Sequence, residues 1–245
     1  LRKINDNLID FYKGSLKADI IHDSYYPDNY NKNSKKKILT IHDTIHERFS
    51  NIYKTDYVNI RKKLIKNIDL FICVSQNTRN DFIEYYNIPK DRVFVIPHGH
   101  EHLTDIVSFD ISNEKISNKP YILYVGGRLR YKNFKVLVEA YSKIKEIKDN
   151  YNIVCYGGEK ISKEELIFFK KLGIEKNIIK IEGTDSLLEN LYKNSKVLVS
   201  TSLYEGYGLT ILEAISVNCP ILANNINVYQ DIYKDFINYF DYNNL

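Results

Sequence analysis

The chain has 245 residues and a formal net charge of +4, from 35 basic and 31 acidic side chains. Hydrophobic residues make up 44%, enough to bury a core, which excludes a disordered chain. The charge is too mild to argue for nucleic-acid binding, and no apolar run approaches the roughly 18 residues of a membrane-spanning helix.

Short β-branched runs alternate with helical patterns along the whole chain. The expected strands are 19–22, 38–42, 70–74, 93–96, 121–125, 153–156, 178–182, 197–200 and 221–223. Helices are expected at 56–67, 77–86, 133–147, 163–172, 186–194 and 208–217. Ser75 is placed to cap the second of these helices. Ser162 and Glu165 form a capping box before the fourth. Such alternation predicts an α/β fold with parallel sheets and right-handed crossovers.

The run Lys32 to Lys37 reads as a solvated loop before a strand. Its sharper reading is contact with anionic lipid headgroups. Between Pro97 and Pro120 the pattern lapses, and 98–119 reads as an interdomain linker. Two Rossmann-like domains are therefore expected, at 1–105 and 115–245. The first holds about four strands and the second shows no closing helix, so both ends read as cut. Cys73, Cys155 and Cys219 fall far apart in apolar segments. An odd count without a C-x-x-C pair argues against a disulfide scaffold or zinc ribbon. Buried thiols in a reducing, cytoplasmic setting are expected instead.

The most informative stretch is Ser202 to Ala214, SLYEGYGLTILEA. Gly206 and Gly208 let the backbone approach a ligand closely, and the helix start behind them offers free amides and a positive dipole end. Glu205 precedes the turn, and Glu213 is expected about two turns into the helix. Amides for phosphate and carboxylates for sugar hydroxyls suit a nucleotide-sugar. A second loop, Gly126-Gly127-Arg128-Leu129-Arg130-Tyr131-Lys132-Asn133, follows a strand and clusters three cations at a helix start, as a diphosphate needs. His42 and Asp43 follow another strand, in T-I-H-D-T-I-H-E. His42 and His46 have the i, i+4 spacing of metal ligands, but the glutamate follows His46, so the motif is no H-E-x-x-H. No metal site is expected. His98, His100 and His102 alternate after Pro97, where a turn role is the expected one.

The Glu205–Glu213 spacing resembles the E-x7-E signature of retaining glycosyltransferases of the GT-B fold, family 4. The Gly126–Asn133 loop resembles that family's G-R-L…K-G donor-phosphate segment. It differs in that Gly127 precedes the arginine, Arg128 stands four residues before Lys132, and Asn133 replaces a glycine. Residues 40–47 resemble the segment carrying the family's cleft histidine, matched here by His42. Residues 95–99 resemble its I-P-N-G turn, 71–78 a strand and capped helix of its first domain, and 156–159 its strand-end glycine loop.

The resemblance implies a retaining, metal-independent transferase without a cofactor. His42 and Glu205 would be catalytic. Asp43, Arg128, Lys132, Gly206, Tyr207, Gly208, Leu209 and Glu213 would bind substrate. Glu213 would hold ribose hydroxyls and Glu205 the donor sugar, while His42 bonds the donor sugar or lies near the acceptor hydroxyl. The implied partners are a nucleoside diphosphate sugar and a glycan or lipid-linked acceptor, in surface polysaccharide synthesis. Contact with the inner face of the membrane is a further expectation. The alternatives are a non-catalytic nucleotide-sugar-binding module, or an epimerase or phosphorylase of the same fold.

Overall fold

The computed structural model describes residues 18–26, 34–53, 57–99, 119–128 and 130–242. The chain divides into two compact units, 1–98 and 99–245. Most of the expected linker, 100–118, lies outside the described residues, as do His100 and His102.

The first unit carries a parallel sheet of β1 (Ala18–Asp23), β2 (Ser34–Ile41), β3 (Leu70–Cys73) and β4 (Val93–Val95), in that order. Helices α1 (Ile45–Arg48), α2 (Tyr57–Leu64) and α3 (Gln76–Tyr86) accompany it. Leu39, Ile41, Phe71, Cys73 and Phe82 form its core. Ser75 caps α3 as expected, its hydroxyl accepting from the Thr78 amide at 3.0 Å. The expected helix at 56–67 ends instead at Leu64, and Ile65–Asn67 tighten into a 3-10 turn. The short α1 was not expected, because four residues show no periodicity.

Strand β2 begins four residues before the expected start, so Lys35, Lys36 and Lys37 are strand residues and not a loop. The cause is β1, which supplies a ladder partner along this stretch and pairs Ile20 with Lys36 and Ile21 with Lys37. The ammonium groups of Lys35 and Lys36 stay at the surface beside acids. Lys35 meets Asp19 at 2.6 Å and Lys36 meets Asp69 at 3.1 Å.

One charged pair is buried in this unit. Arg61 Nη1 lies 2.9 Å from both carboxylate oxygens of Glu47, with both side chains almost fully enclosed. Tyr86 donates its hydroxyl to the same carboxylate, and the guanidinium lies 4.2 Å from the centre of the Tyr26 ring. The pair ties α1 to α2 and α3.

The second unit contains β5 (Tyr121–Val125), α4 (Phe134–Lys143), α5 (Lys145–Asn150), β6 (Asn152–Tyr156), α6 (Lys163–Leu172) and β7 (Ile178–Ile181). It continues with α7 (Asp185–Asn194), β8 (Val197–Ser200), α8 (Leu209–Ser216), β9 (Ile221–Asn224), α9 (Asn227–Tyr233) and β10 (Asn238–Phe240). The sheet runs β10-β9-β8-β5-β6-β7, with every pair parallel. Strand order reverses between β5 and β8. Both faces are covered, as a parallel sheet requires. Leu123, Val154, Leu191 and Leu198 pack with Tyr229 on one face. Tyr124, Val138, Ile153, Cys155 and Phe169 pack on the other.

Here too the outline holds and details differ. The expected helix at 133–147 breaks at Ile144, an extended residue between α4 and α5. The capping box is present: Ser162 Oγ accepts from the Glu165 amide, and Glu165 accepts from the Ser162 amide. A closing helix, α9, and a sixth strand, β10, follow β9 and correct the expectation of an open end. Tyr229 and Tyr233 in α9 and Tyr239 in β10 stand where aliphatic anchors would make the apolar pattern plain. All three cysteines are buried free thiols.

Removing one partner of a buried ion pair leaves the other charge uncompensated, at a cost of roughly 3–5 kcal/mol. Glu47→Ala is therefore expected to weaken the first unit by that amount. Hydrogen exchange of the β2 and β3 amides measures it, and a loss under about 1 kcal/mol contradicts the assignment.

Candidate nucleotide-sugar site

Open α/β sheets take ligands beyond the carboxyl ends of their strands, where strand order reverses. In the second unit that place lies between the loops that follow β5 and β8. Gly126 adopts φ +109° and Gly158, after β6, φ +70°. A Cβ on Gly158 would stand 2.5 Å from the Gly126 carbonyl oxygen, so glycine there permits two backbones to touch. The Gly126 amide donates to the Tyr156 carbonyl at 2.8 Å.

The 126–133 loop is tied to the 201–208 loop. The Leu203 amide donates to the Tyr131 carbonyl at 2.8 Å, and Thr201 Oγ1 donates to the Lys132 carbonyl at 2.7 Å. Tyr124 donates its hydroxyl to the Gly127 carbonyl at 2.9 Å. Lys132 Nζ then meets Glu205 Oε1 at 2.6 Å, with both side chains largely enclosed. These two residues, with Tyr124, Ser200, Ser202 and Thr210, line a small polar cavity.

Gly208 starts α8 in the left-handed region, at φ +89°. A Cβ there would stand 2.4 Å from a carbon of the Tyr229 ring, so both conformation and space require glycine. Tyr233 donates its hydroxyl to the carbonyls of Gly208 (3.0 Å) and Tyr207 (3.2 Å). The Tyr229 hydroxyl bonds Ser200 Oγ at 2.9 Å, and Asn224 donates to the Ser202 carbonyl at 3.0 Å. Gly206 and Tyr207 are buried in this frame, whereas Leu209 is exposed. Because α8 begins at Leu209, Glu213 lies one turn into it and not two. Its carboxylate accepts from the Tyr192 hydroxyl at 2.8 Å.

Burial pushes the hydroxyls of Tyr192, Tyr229 and Tyr233 above the usual phenol range. The Glu213 charge adds to this at Tyr192, and the Glu205 charge adds to it at Tyr229 and Tyr233. They remain protonated donors at any physiological pH.

Arg128 is placed differently from Lys132. Its side chain is buried, with Nε donating to Glu165 Oε1 at 2.7 Å and Nη2 to the Glu159 carbonyl at 2.7 Å. Glu165 is the capping-box residue of α6, so Arg128 clamps the loop to that helix. Burial works to lower the Arg128 pKa, but the Glu165 carboxylate outweighs it and the pKa is raised.

In the first unit, His42 and Asp43 follow β2. The Asp43 carboxylate accepts from the Ile45 amide at 3.0 Å and so shapes the start of α1. His42 Nε2 lies 2.7 Å from the Ser24 carbonyl oxygen. A carbonyl only accepts, so Nε2 carries the proton. His42 stacks on His98, while His46 packs against Tyr53 and Tyr57. Among the described residues no three His, Cys, Asp or Glu side chains converge as a metal site.

Sequence reading missed Tyr192, Tyr229, Tyr233 and Thr201, and saw Glu165 only as a helix cap. The available signal was the i, i+4 spacing of Tyr229 and Tyr233 just after the last expected strand.

A doubly wound sheet with glycine loops over its switch point defines a nucleotide-binding class of α/β domain. The family Glycosyl transferases group 1 matches residues 108–242, and Glycosyltransferase Family 4 matches residues 4–102. The chain belongs to the glycosyl transferases group 1 family. It is 25% identical over 217 residues to O-antigen chain mannosyltransferase B of Escherichia coli, covering 82% of this chain and 56% of that protein. It is 23% identical over 204 residues to an O-antigen chain mannosyltransferase, RfbU, of Salmonella typhimurium, covering 81% and 54%. The chain thus spans about half the length of curated relatives it matches. Among solved structures, sucrose-phosphate synthase of Thermosynechococcus elongatus superposes with a TM-score of 0.73 at 17% identity, over 97% of this chain and 64% of that one. The glycosyltransferase WaaG gives 0.67 at 15% identity, over 92% and 63%. These likenesses establish the GT-B fold. No helix among the described residues is long and apolar enough to cross a membrane.

Gly208→Ala is expected to destabilise the second unit by at least about 1–2 kcal/mol, the cost of a left-handed non-glycine residue. Adding Tyr229→Ala relieves the clash but not the backbone cost, so the double variant is less destabilised than the two single losses summed. Urea unfolding of the four proteins tests this, and strict additivity refutes the contact.

Proposed function

We propose that this protein is a retaining, metal-independent hexosyltransferase. It moves a sugar from a nucleoside diphosphate sugar to a glycan or lipid-linked acceptor, in surface polysaccharide synthesis. The observation that carries this reading is the Lys132–Glu205 pair held beside the glycine turn of α8 at the switch point. The names of the O-antigen mannosyltransferases support the polysaccharide role. A solved neighbour in complex with UDP-glucose supports the donor class.

On this reading a donor exchanges partners with the pair. Lys132 turns to the diphosphate and Glu205 to hydroxyls of the transferred sugar. The α8 start adds amides and the positive end of its dipole. Together they stabilise charge as it develops on the leaving diphosphate. Glu213, oriented by Tyr192, takes the ribose hydroxyls. Arg128 keeps the loop in shape from behind. Retention then proceeds by front-face attack, with a diphosphate oxygen taking the acceptor proton, and no carboxylate acts as nucleophile. In the first unit His42, with its proton on Nε2, offers Nδ1 as an acceptor to a sugar hydroxyl.

Glu213→Gln is expected to weaken nucleoside diphosphate binding by about 1–3 kcal/mol, the scale for losing a charged hydrogen-bond partner. Calorimetric titration with UDP and GDP measures it, and an unchanged affinity removes Glu213 from the site. Transfer is expected to survive EDTA. Abolition by the chelator with rescue by Mg²⁺ or Mn²⁺ overturns the metal-independent mechanism.

A further inference from the structure

Three rings gather beyond the carboxyl ends of the first unit's strands, and the transfer mechanism uses only one of them. Tyr25 stands two residues after β1, His42 directly after β2 and His98 three residues after β4. The His42 and His98 rings are stacked, 5.5 Å between centroids and 9° from parallel. The Tyr25 ring lies 6.2 Å from His42, tilted by 33°. It is 61% exposed, among the more exposed large aromatics of the described residues.

Exposure alone means little for one tyrosine. This one is held in place. Its ring packs edge-on against Tyr26 at 5.6 Å and 82°, and Tyr26 in turn lies under the Arg61 guanidinium. His42 donates to the carbonyl of Ser24, the residue immediately before Tyr25. A side chain with its backbone pinned on one side and its half-buried neighbour packed on the other loses little entropy when it binds something. Burial, and then the neighbouring His42, hold His98 below the ordinary imidazole range. The stack is therefore not driven apart by two like charges at neutral pH.

An aromatic face is electron-rich. The axial C–H groups of a pyranose ring carry the complementary partial charge and form a flat apolar patch. The sugar's hydroxyls point outward from that patch, and His42, with its proton on Nε2, keeps Nδ1 as an acceptor. An exposed aromatic face beside a hydrogen-bond acceptor suits both surfaces of a sugar ring.

We propose that Tyr25, backed by the His42–His98 stack, is a stacking platform for a pyranose ring of the acceptor glycan. The proposal rests on the transferase reading above and names a substrate-positioning residue for it. Tyr25 makes no bond to the reacting atoms. Its role is to set the angle at which the acceptor presents its hydroxyl.

The chain contains no tryptophan, so Tyr25→Trp creates a protein with one fluorescent indole at the platform. Emission is followed while the full chain is titrated with trisaccharides of mannose, glucose in α and in β linkage, and N-acetylglucosamine. The expected result is a saturable blue shift with at least one of them. Phe236→Trp, whose ring is exposed in the other unit, is expected to show none. A second readout needs no indole. Saturation transferred from the protein to the responding sugar's protons in NMR is expected to persist in Tyr25→Phe and to fall at least several-fold in Tyr25→Ala. No shift with any of the four sugars, or equal saturation transfer in Tyr25→Ala and Tyr25→Phe, overturns the platform. Binding of UDP and GDP, measured separately by thermal shift, reports on the transferase reading. Nucleotide binding without a sugar response fails the platform alone. A sugar response without nucleotide binding fails the transferase reading alone.

Discussion

The Lys132–Glu205 ion pair joins loops that leave neighbouring strands in opposite directions. After β5 the chain turns toward β6; after β8 it turns toward β9. A gap opens between two such loops, and Lys132 and Glu205 reach into it from either side. Most of the second unit's peculiarities follow from closing that gap without filling it. Gly158 lets two backbones touch, Gly126 takes a positive φ, and Gly208 makes room for the Tyr229 ring. The hydrogen bonds from Thr201 and Leu203 bring Lys132 to Glu205. Each charge loses much of its water there and is compensated mainly by the other. A partly desolvated pair gains less from its own attraction than its distance suggests. Separating such a pair costs least when the lysine is offered an anion and the carboxylate is offered hydrogen-bond donors.

Tyrosine does in this protein what smaller polar residues do elsewhere. The ring of Tyr229 fills core space beneath Gly208 while its hydroxyl reaches Ser200. Tyr233 packs beside it and caps two carbonyls of the glycine turn. Tyr192 does the same for the Glu213 carboxylate. A buried hydroxyl must find a partner, so each ring is fixed in orientation by its own polar tip. The site is thereby set by the core behind it, and α9, which carries Tyr229 and Tyr233, belongs to the site although it holds none of the expected ligand-binding residues.

Two of the three cationic residues expected at the diphosphate have separate surroundings. Lys132 lies at the mouth of the switch point, whereas Arg128 lies behind the loop with Glu165. Arg130 between them and Asn133 just after Lys132 lie in the left-handed region. That sharp path sends the two side chains to different neighbours. The first unit follows a similar economy: Glu47, buried on the four-residue α1, is stabilised by Arg61 and Tyr86 from two other helices. It is a local helix held by distant partners.

Strand and helix order was readable from the chain because a parallel sheet covered on both faces imposes apolar runs between amphipathic helices. The caps at Ser75 and Ser162 were readable because their hydrogen bonds span three residues. The glycine loops and the E-x7-E spacing were readable for the same reason, since each is a local pattern. The pairing of Lys132 with Glu205, 73 residues away, and of Arg128 with Glu165, 37 away, was not. Nor was the extension of β2 through Lys35–Lys37, which depends on β1 lying alongside. Those outcomes are decided by which strands become neighbours, and hydrophobic periodicity carries the existence of a strand but not the identity of what it faces.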